Sequence, residues 1–224
     1  VTNIAKLEAC LKKLEALPLL IYDAEDESVV NNFSVEETAA GGCEWTGTIS
    51  TIQDEEGSWI KFHMETCGSQ SGIYTPYSLS GVDLTNYDYV VFRIKGGGNE
   101  ARFRIIREGF AAGGSPWVWY NRDGITEIVV PVSQFVSDAH PLFIMVAGLT
   151  AGTDIYMGSF YAYGAGTVQR MIDALPESDR VTESDLAAVE EAEKYYGYLS
   201  EEAKALVDTE KLDACLEKLK GPEG

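Results

Sequence analysis

Tyr89-Val90-Val91-Phe92-Arg93-Ile94-Lys95, then Gly96-Gly97-Gly98-Asn99, then Ala101-Arg102-Phe103-Arg104-Ile105-Ile106-Arg107: the reading of this run decides the fold. Apolar and polar residues alternate on both sides of a glycine-rich turn, the pattern of two antiparallel strands with one dry and one wet face. The period of two predicts Phe92, Ile94, Phe103 and Ile105 in a core, and Arg93, Lys95, Arg102 and Arg104 together on the other side. Working outward, the same texture fills residues 19–166. Short β-branched and aromatic segments at 19–23, 44–50, 59–66, 72–79, 117–121, 126–132, 142–147 and 154–163 are parted by Gly, Asn, Asp and Ser turns. Strands at this spacing, with no helix-length period among them, predict an antiparallel β-sandwich.

At both ends the period turns helical. Leu7, Cys10, Leu11 and Leu14 stand at the spacing of an amphipathic helix over residues 1–18, which Pro18 ends. Val168, Met171, Ile172 and Leu175 make a second stripe, closed by Pro176. Leu186, Val189, Ala192, Tyr196 and Leu199 make a third, with Thr182 or Ser184 as N-cap, and Ser200 caps a fourth running through Leu206, Leu212, Cys215, Leu216 and Leu219. The predicted architecture is therefore mainly β with a helical annex: an N-terminal helix (1–18), a sandwich (19–166) and a small three-helix bundle (167–224). The nine residues Lys6–Leu14 match Lys211–Leu219 at seven positions, offset by 205. A periodic parent protein accounts for this, the first helix being the last of a preceding helical unit. Coincidence between two Lys/Glu/Leu-rich helices is the alternative.

The totals exclude several roles. A net charge of −19, from 17 basic against 36 acidic residues, repels phosphate backbones and anionic lipid, so neither nucleic acid nor a membrane surface is expected as partner. No run of apolar residues is long enough to span a bilayer. The N-terminus carries no signal-peptide pattern, and the chain reads as a fragment of something longer. Cys10 and Cys215 sit on helical stripes as buried thiols, whereas Cys43 and Cys67 flank two strands and either form one bridge, in an oxidising compartment, or stay as free thiols. For catalysis the chain is poor. His63 and His140 lie apart, and no nucleophile elbow, metalloprotease or phosphate-loop motif occurs, so no enzyme is expected.

The segment MIDALPESDRVTESDLAAVEEAEKYYGYLSEEAKALVDTEKLDACLEKL (171–219) resembles the FIVAR-type three-helix repeats of multimodular secreted and surface proteins of Gram-positive bacteria. In the sandwich, GVDLTNYDYVVFRIKG (81–96), DGITEIVVPVSQF (123–135) and TDIYMGSFYAYG (153–164) resemble strands of galactose-binding-like, jelly-roll carbohydrate-binding modules. The resemblance implies an extracellular or cell-surface chain, a polysaccharide or oligosaccharide partner beside other modules of the same chain, and no required cofactor. It also implies a structural calcium ion shared by carboxylates of the first and last strands, here Asp23, Glu25 and Asp154, although Met157-Gly158 stands where the modules carry an aspartate. A plain acidic loop is the alternative.

Sugar rings present flat C–H faces to aromatic planes, so Trp117 and Trp119, two apart and on one side of a strand, are candidate stacking residues; the alternative is that they fill the core. Tyr120 and Asn121 adjoin them, and Arg102 and Arg104 supply guanidinium forks for sugar hydroxyls, or ion pairs with nearby carboxylates. Tyr195 and Tyr198 stand off their helix stripe, either docking the bundle or lining a cleft. The expected activity is non-catalytic binding of a neutral glucan, α-linked (starch) in the first instance. A spacer or adhesin repeat with a protein partner is the alternative.

Overall fold

The structure, a computed structural model, describes residues 4, 6–8, 10–11, 17–33, 46–66, 72–75, 82–97, 102–107, 116–134, 142–147 and 150–220. Its strands are β1 (Leu19–Tyr22), β2 (Thr46–Asp54), β3 (Gly57–Thr66), β4 (Gly72–Thr75), β5 (Tyr89–Gly96), β6 (Arg102–Arg107), β7 (Val118–Trp119), β8 (Thr126–Pro131), β9 (Leu142–Ala147), β10 (Asp154–Met157) and β11 (Phe160–Tyr163). They form an antiparallel sandwich of two sheets. The longer runs β1-β11-β5-β10-β3-β2 with β8 also on β5, and the shorter runs β4-β9-β6-β7. Cys43, Cys67, Trp45 and His140 lie outside the described residues.

The core was legible in the alternation. Phe92 and Ile94 of β5 and Phe103 and Ile105 of β6 are all buried. The partnership was not. β5 and β6 do not form a hairpin: β5 lies in the long sheet and β6 in the short one. Phe92 and Phe103 meet edge to face across the sandwich, with ring centroids 4.7 Å apart. Arg93 and Lys95 therefore lie on one outer face and positions 102 and 104 on the opposite one, so the expected joint basic patch does not exist. The cause sits at the end of β5. Gly96 and Gly97 both have positive φ (80° and 104°), a conformation costly for any residue with a Cβ, and they steer the chain out of its sheet. The close approach enforces the choice, because a Cβ at Gly96 would lie 2.2 Å from the Asp154 carbonyl oxygen.

The chain divides into two compact units. One comprises residues 20–83 and 90–161, and the other residues 1–19, 84–89 and 162–224. In the second, α1 (Ala165–Ala174), α2 (Leu186–Tyr198), the single turn α3 (Glu201–Lys204) and α4 (Glu210–Lys220) bury Val168, Ile172, Val189, Ala192, Ala203, Leu212 and Cys215. Thr182 and Asp185 make a reciprocal capping box ahead of α2. Ser200 caps only α3, accepting the Ala203 N–H, and the expected continuous fourth helix is broken before α4. The break is held from α1: the Gln169 side chain accepts the Asp208 N–H at 2.7 Å, and Asp208 in turn accepts the Glu210 N–H.

Candidate functional site

The outer face of the long sheet is crowded with charge. Alternation along β3 places Trp59, Lys61 and His63 opposite the core residues Ile60, Phe62 and Met64. Register brings Asp154 beside His63, and Tyr156 between Lys61 and Lys95. The Trp59 indole is sealed from solvent. Lys95 Nζ sits 4.4 Å above its ring and the Arg93 guanidinium 5.0 Å from it, while its N–H donates to Asp54 at 2.9 Å. Lys95 also donates to Asp54 at 2.7 Å and Glu56 at 2.5 Å, and Arg93 to the Glu56 carbonyl at 3.0 Å. Hydrogen bonds from Lys95 and then from the Trp59 indole push the Asp54 carboxyl down to about 2. These cations are committed to the protein's own groups, and the Tyr156 ring between Lys61 and Lys95 is partly buried.

Asp154 is held in the same way. Lys61 lies 2.9 Å away, His63 2.6 Å, and the Tyr156 hydroxyl donates at 3.0 Å. Burial alone would raise its carboxyl, but these three partners hold it below the ordinary range. Asp23 is engaged elsewhere, accepting the Glu25 N–H and the Ser159 hydroxyl, and Glu25 accepts the Ser58 hydroxyl. Among the described residues no three His, Cys, Asp or Glu side chains cluster as a metal site, so Asp23, Glu25 and Asp154 are not brought together as ligands.

The outer face of the short sheet is different. Trp119 is 63% exposed and Trp117 is half-buried, so Trp119 at least does not fill the core. Residues directly opposite in an antiparallel ladder share a face. One row across the sheet is thus Gly72, Ala147, Arg102 and Trp119, and the next contains Tyr74, Met145 and Arg104. Between them lies the row of Val146 and the buried Phe103, which belongs to the inner face. An exposed indole, two arginine positions and a tyrosine position are gathered on one side of a single sheet. The grouping with Tyr74 was not foreseen from sequence, because strand order, not spacing, brings β4 within two strands of β6.

One expectation is corrected beside this face, at Tyr120. Tyr120 is buried, on the inner side, with its hydroxyl where a Cβ on Gly97 would come within 2.7 Å; a strand that turns Trp119 outward must turn its neighbour inward. Asn121 is exposed, but its side-chain oxygen accepts the Asp123 N–H at 3.1 Å, making it the cap of the turn into β8. Tyr195 is also corrected. It is buried, stacked on Tyr89 at 6.3 Å with planes 7° apart and edge-on to Tyr163 and Tyr198, so it is a packing residue of the helical unit. The pitch of α2 explains it: Val189, Ala192 and Tyr195 follow one buried line, and Tyr196, expected on that line, falls beside it. Tyr198, 37% exposed, closes the rim of this cluster. No helix among the described residues is long and apolar enough to cross a membrane.

No family model and no curated protein matches this chain. Among solved structures, it is similar to the family 11 carbohydrate-binding module of the cellulosomal cellulase Lic26A-Cel5E of Clostridium thermocellum, at 16% identity and a TM-score of 0.46, over 67% of this chain and 96% of that one. The same family 11 module, in complex with a β-1,3-1,4-mixed-linked tetrasaccharide, aligns with the same score and identity over 67% of this chain and 98% of that one. The family 30 carbohydrate-binding module of the C. thermocellum cellulosomal cellulase Cel9D-Cel44B aligns at 13% identity and a TM-score of 0.39, over 66% and 97%.

Proposed function

We propose that the sandwich is a non-catalytic polysaccharide-binding unit and that its ligand lies across the outer face of the short sheet. The observation that carries this reading is the 63% exposure of Trp119 on a sheet strand. A large indole left in water costs hydrophobic free energy that burial would recover, about 1.5–3 kcal/mol for a side chain of this class. A stacked sugar ring recovers it without covering the polar groups nearby. Arg102 opposite Trp119, with Arg104 and Tyr74 one row on, then hydrogen-bonds hydroxyls. Tyr120 and Tyr195, being buried, are not part of this ligand surface. The proposed ligand is a neutral glucan, with starch the first to test, and each site is of modest affinity because protein–sugar hydrogen bonds replace those to water. The resemblance of residues 171–219 to surface-protein repeats supports a host chain that works outside the cell. A spacer role with both indoles in the core is disfavoured by the exposure of Trp119.

Native affinity electrophoresis tests this with gels containing starch, mixed-linkage β-glucan, xylan or polygalacturonate. The expected result is retardation on a neutral glucan that is lost in Trp119→Ala and in the Trp117→Ala, Trp119→Ala double variant. Free migration of the wild type on every gel, or equal retardation of the variants, overturns the reading.

A further inference from the structure

The turn that follows Trp119 holds one polar side chain in a single orientation beside the exposed indole. Burial alternates there: Trp119 is exposed, Tyr120 buried and Asn121 exposed, so Asn121 lies on the same side of the chain as the indole. It stands two residues on, about 6.5 Å along an extended chain. Its backbone is fixed from two directions. The Asn121 N–H donates to the Thr126 hydroxyl at 2.9 Å, at the start of β8, and the Gly96 N–H at the end of β5 donates to the Arg122 carbonyl at 3.0 Å.

The side chain is fixed as well. Its oxygen accepts the Asp123 N–H at 3.1 Å, and only the oxygen end of an amide can accept, so the position of the nitrogen end is settled. Among the described residues that nitrogen has no hydrogen-bond partner. Its near neighbour is Gly124, where a Cβ would lie 3.5 Å from it. Capping this turn needs only an oxygen, which Asp or Ser also supplies. What Asn adds is a pair of N–H donors held at a set place next to an aromatic plane.

We infer that Asn121 determines specificity on this face by donating to a hydroxyl oxygen at the edge of the sugar ring stacked on Trp119, with Thr126 as the positioning residue that holds it there. The inference rests on the reading of Trp119 as a sugar platform. Stacking alone lets a ring turn about the indole. One directional bond at the ring's edge sets which way it faces, and favours the epimer whose hydroxyl meets the donor. Because the donor is oriented before the ligand arrives, little further order is lost on binding.

Dissociation constants from native gels of graded glucan content, with urea midpoints alongside, test this in the whole chain. Asn121→Ser keeps an oxygen for the turn. Asn121→Asp keeps the shape as well but presents an acceptor where the donor was. Both should bind about fivefold more weakly, the worth of one hydrogen bond, with little change in urea midpoint. Thr126→Val should weaken binding in the wild type and no further in Asn121→Ser, a coupling that a merely structural role would not produce. Wild-type affinity in either Asn121 variant, or an additive loss from Thr126→Val, overturns the inference and leaves Trp119 as a platform. A wild type that migrates freely on every gel overturns both.

Discussion

Asp54 shows how a single carboxylate organises a sheet face. It accepts the Trp59 indole N–H and the Lys95 ammonium at once, and one of its oxygens also accepts the Glu56 and Gly57 N–H groups of the β2–β3 turn. Its carboxyl, at about 2 in the folded chain, titrates near 3.9 when unfolded. A depressed folded value means that its contribution is fully present above the unfolded value and fades as the pH falls toward 2. Asp54→Asn keeps the acceptor for the indole and the turn but removes the charge facing Lys95. Urea midpoints measured from pH 7 to pH 2 should therefore show the variant less stable by a constant margin above about pH 5, with the margin closing as pH approaches 2. A margin unchanged at pH 2 would assign the loss to packing instead. At the other face, Trp119→Ala should leave the melting midpoint nearly untouched, within about 0.5 kcal/mol, because the side chain is mostly in water. Binding and stability are thus separable at this residue.

At the scale of elements, the turn out of β5 decides the topology. Gly97 needs its positive φ, and a Cβ there would press on the Tyr120 hydroxyl at 2.7 Å. That hydroxyl is buried with no hydrogen-bond partner among the described residues. Gly97→Ala should cost about 1–2 kcal/mol from backbone strain alone and more from the clash. Tyr120→Phe should be neutral or slightly stabilising, since it removes an unsatisfied polar group. The double variant should recover the clash but not the strain, a positive coupling visible in a thermodynamic cycle of urea midpoints. Equal losses in single and double variants would mean that the two residues do not meet. The same turn marks the limit of what the sequence discloses. Alternation is local, so the inward residues of β5 and β6 could be read from their own neighbours. Which strand a strand pairs with is a long-range fact, and a glycine-rich connection suits a hairpin and a crossover between sheets equally well. The pair Trp117 and Trp119 was legible as a candidate, but Tyr74 became visible only with β4 placed beside β9. Tyr195 was misplaced because a helix of period 3.6 leaves adjacent residues only 100° apart, so Tyr195 and Tyr196 compete for one stripe.

Over the whole molecule, charge and chain order make separate claims. A net charge of −19 repels uronates at long range, while a neutral glucan feels no such field. Retention on the glucan gel should therefore be the same at 20 mM and at about 500 mM salt, where charges are screened beyond a few ångström. Retention that falls with salt would point to a charged polysaccharide held by the arginines. Chain order bears on stability. Residues 84–89 cluster with the C-terminal helices although they precede most of β5, and the expected boundary at residue 166 cuts this unit in two. Tyr89, fully buried, packs on Tyr195 and Tyr198, and Asp88 accepts the Ser200 hydroxyl at 2.8 Å. A chain ending at residue 166 loses these partners at the very start of β5. All four tryptophans lie between residues 45 and 119, so indole fluorescence follows the sandwich without any signal from the helices. Residues 19–166 alone should unfold at a lower urea midpoint than the whole chain by that probe, by about 1.5–3 kcal/mol for the exposure of one large side chain. Tyr195→Ala in the whole chain should move the midpoint in the same direction. If the shortened chain unfolded where the whole one does, residues 84–89 would be bystanders to the helical unit, and the sandwich would stand without it.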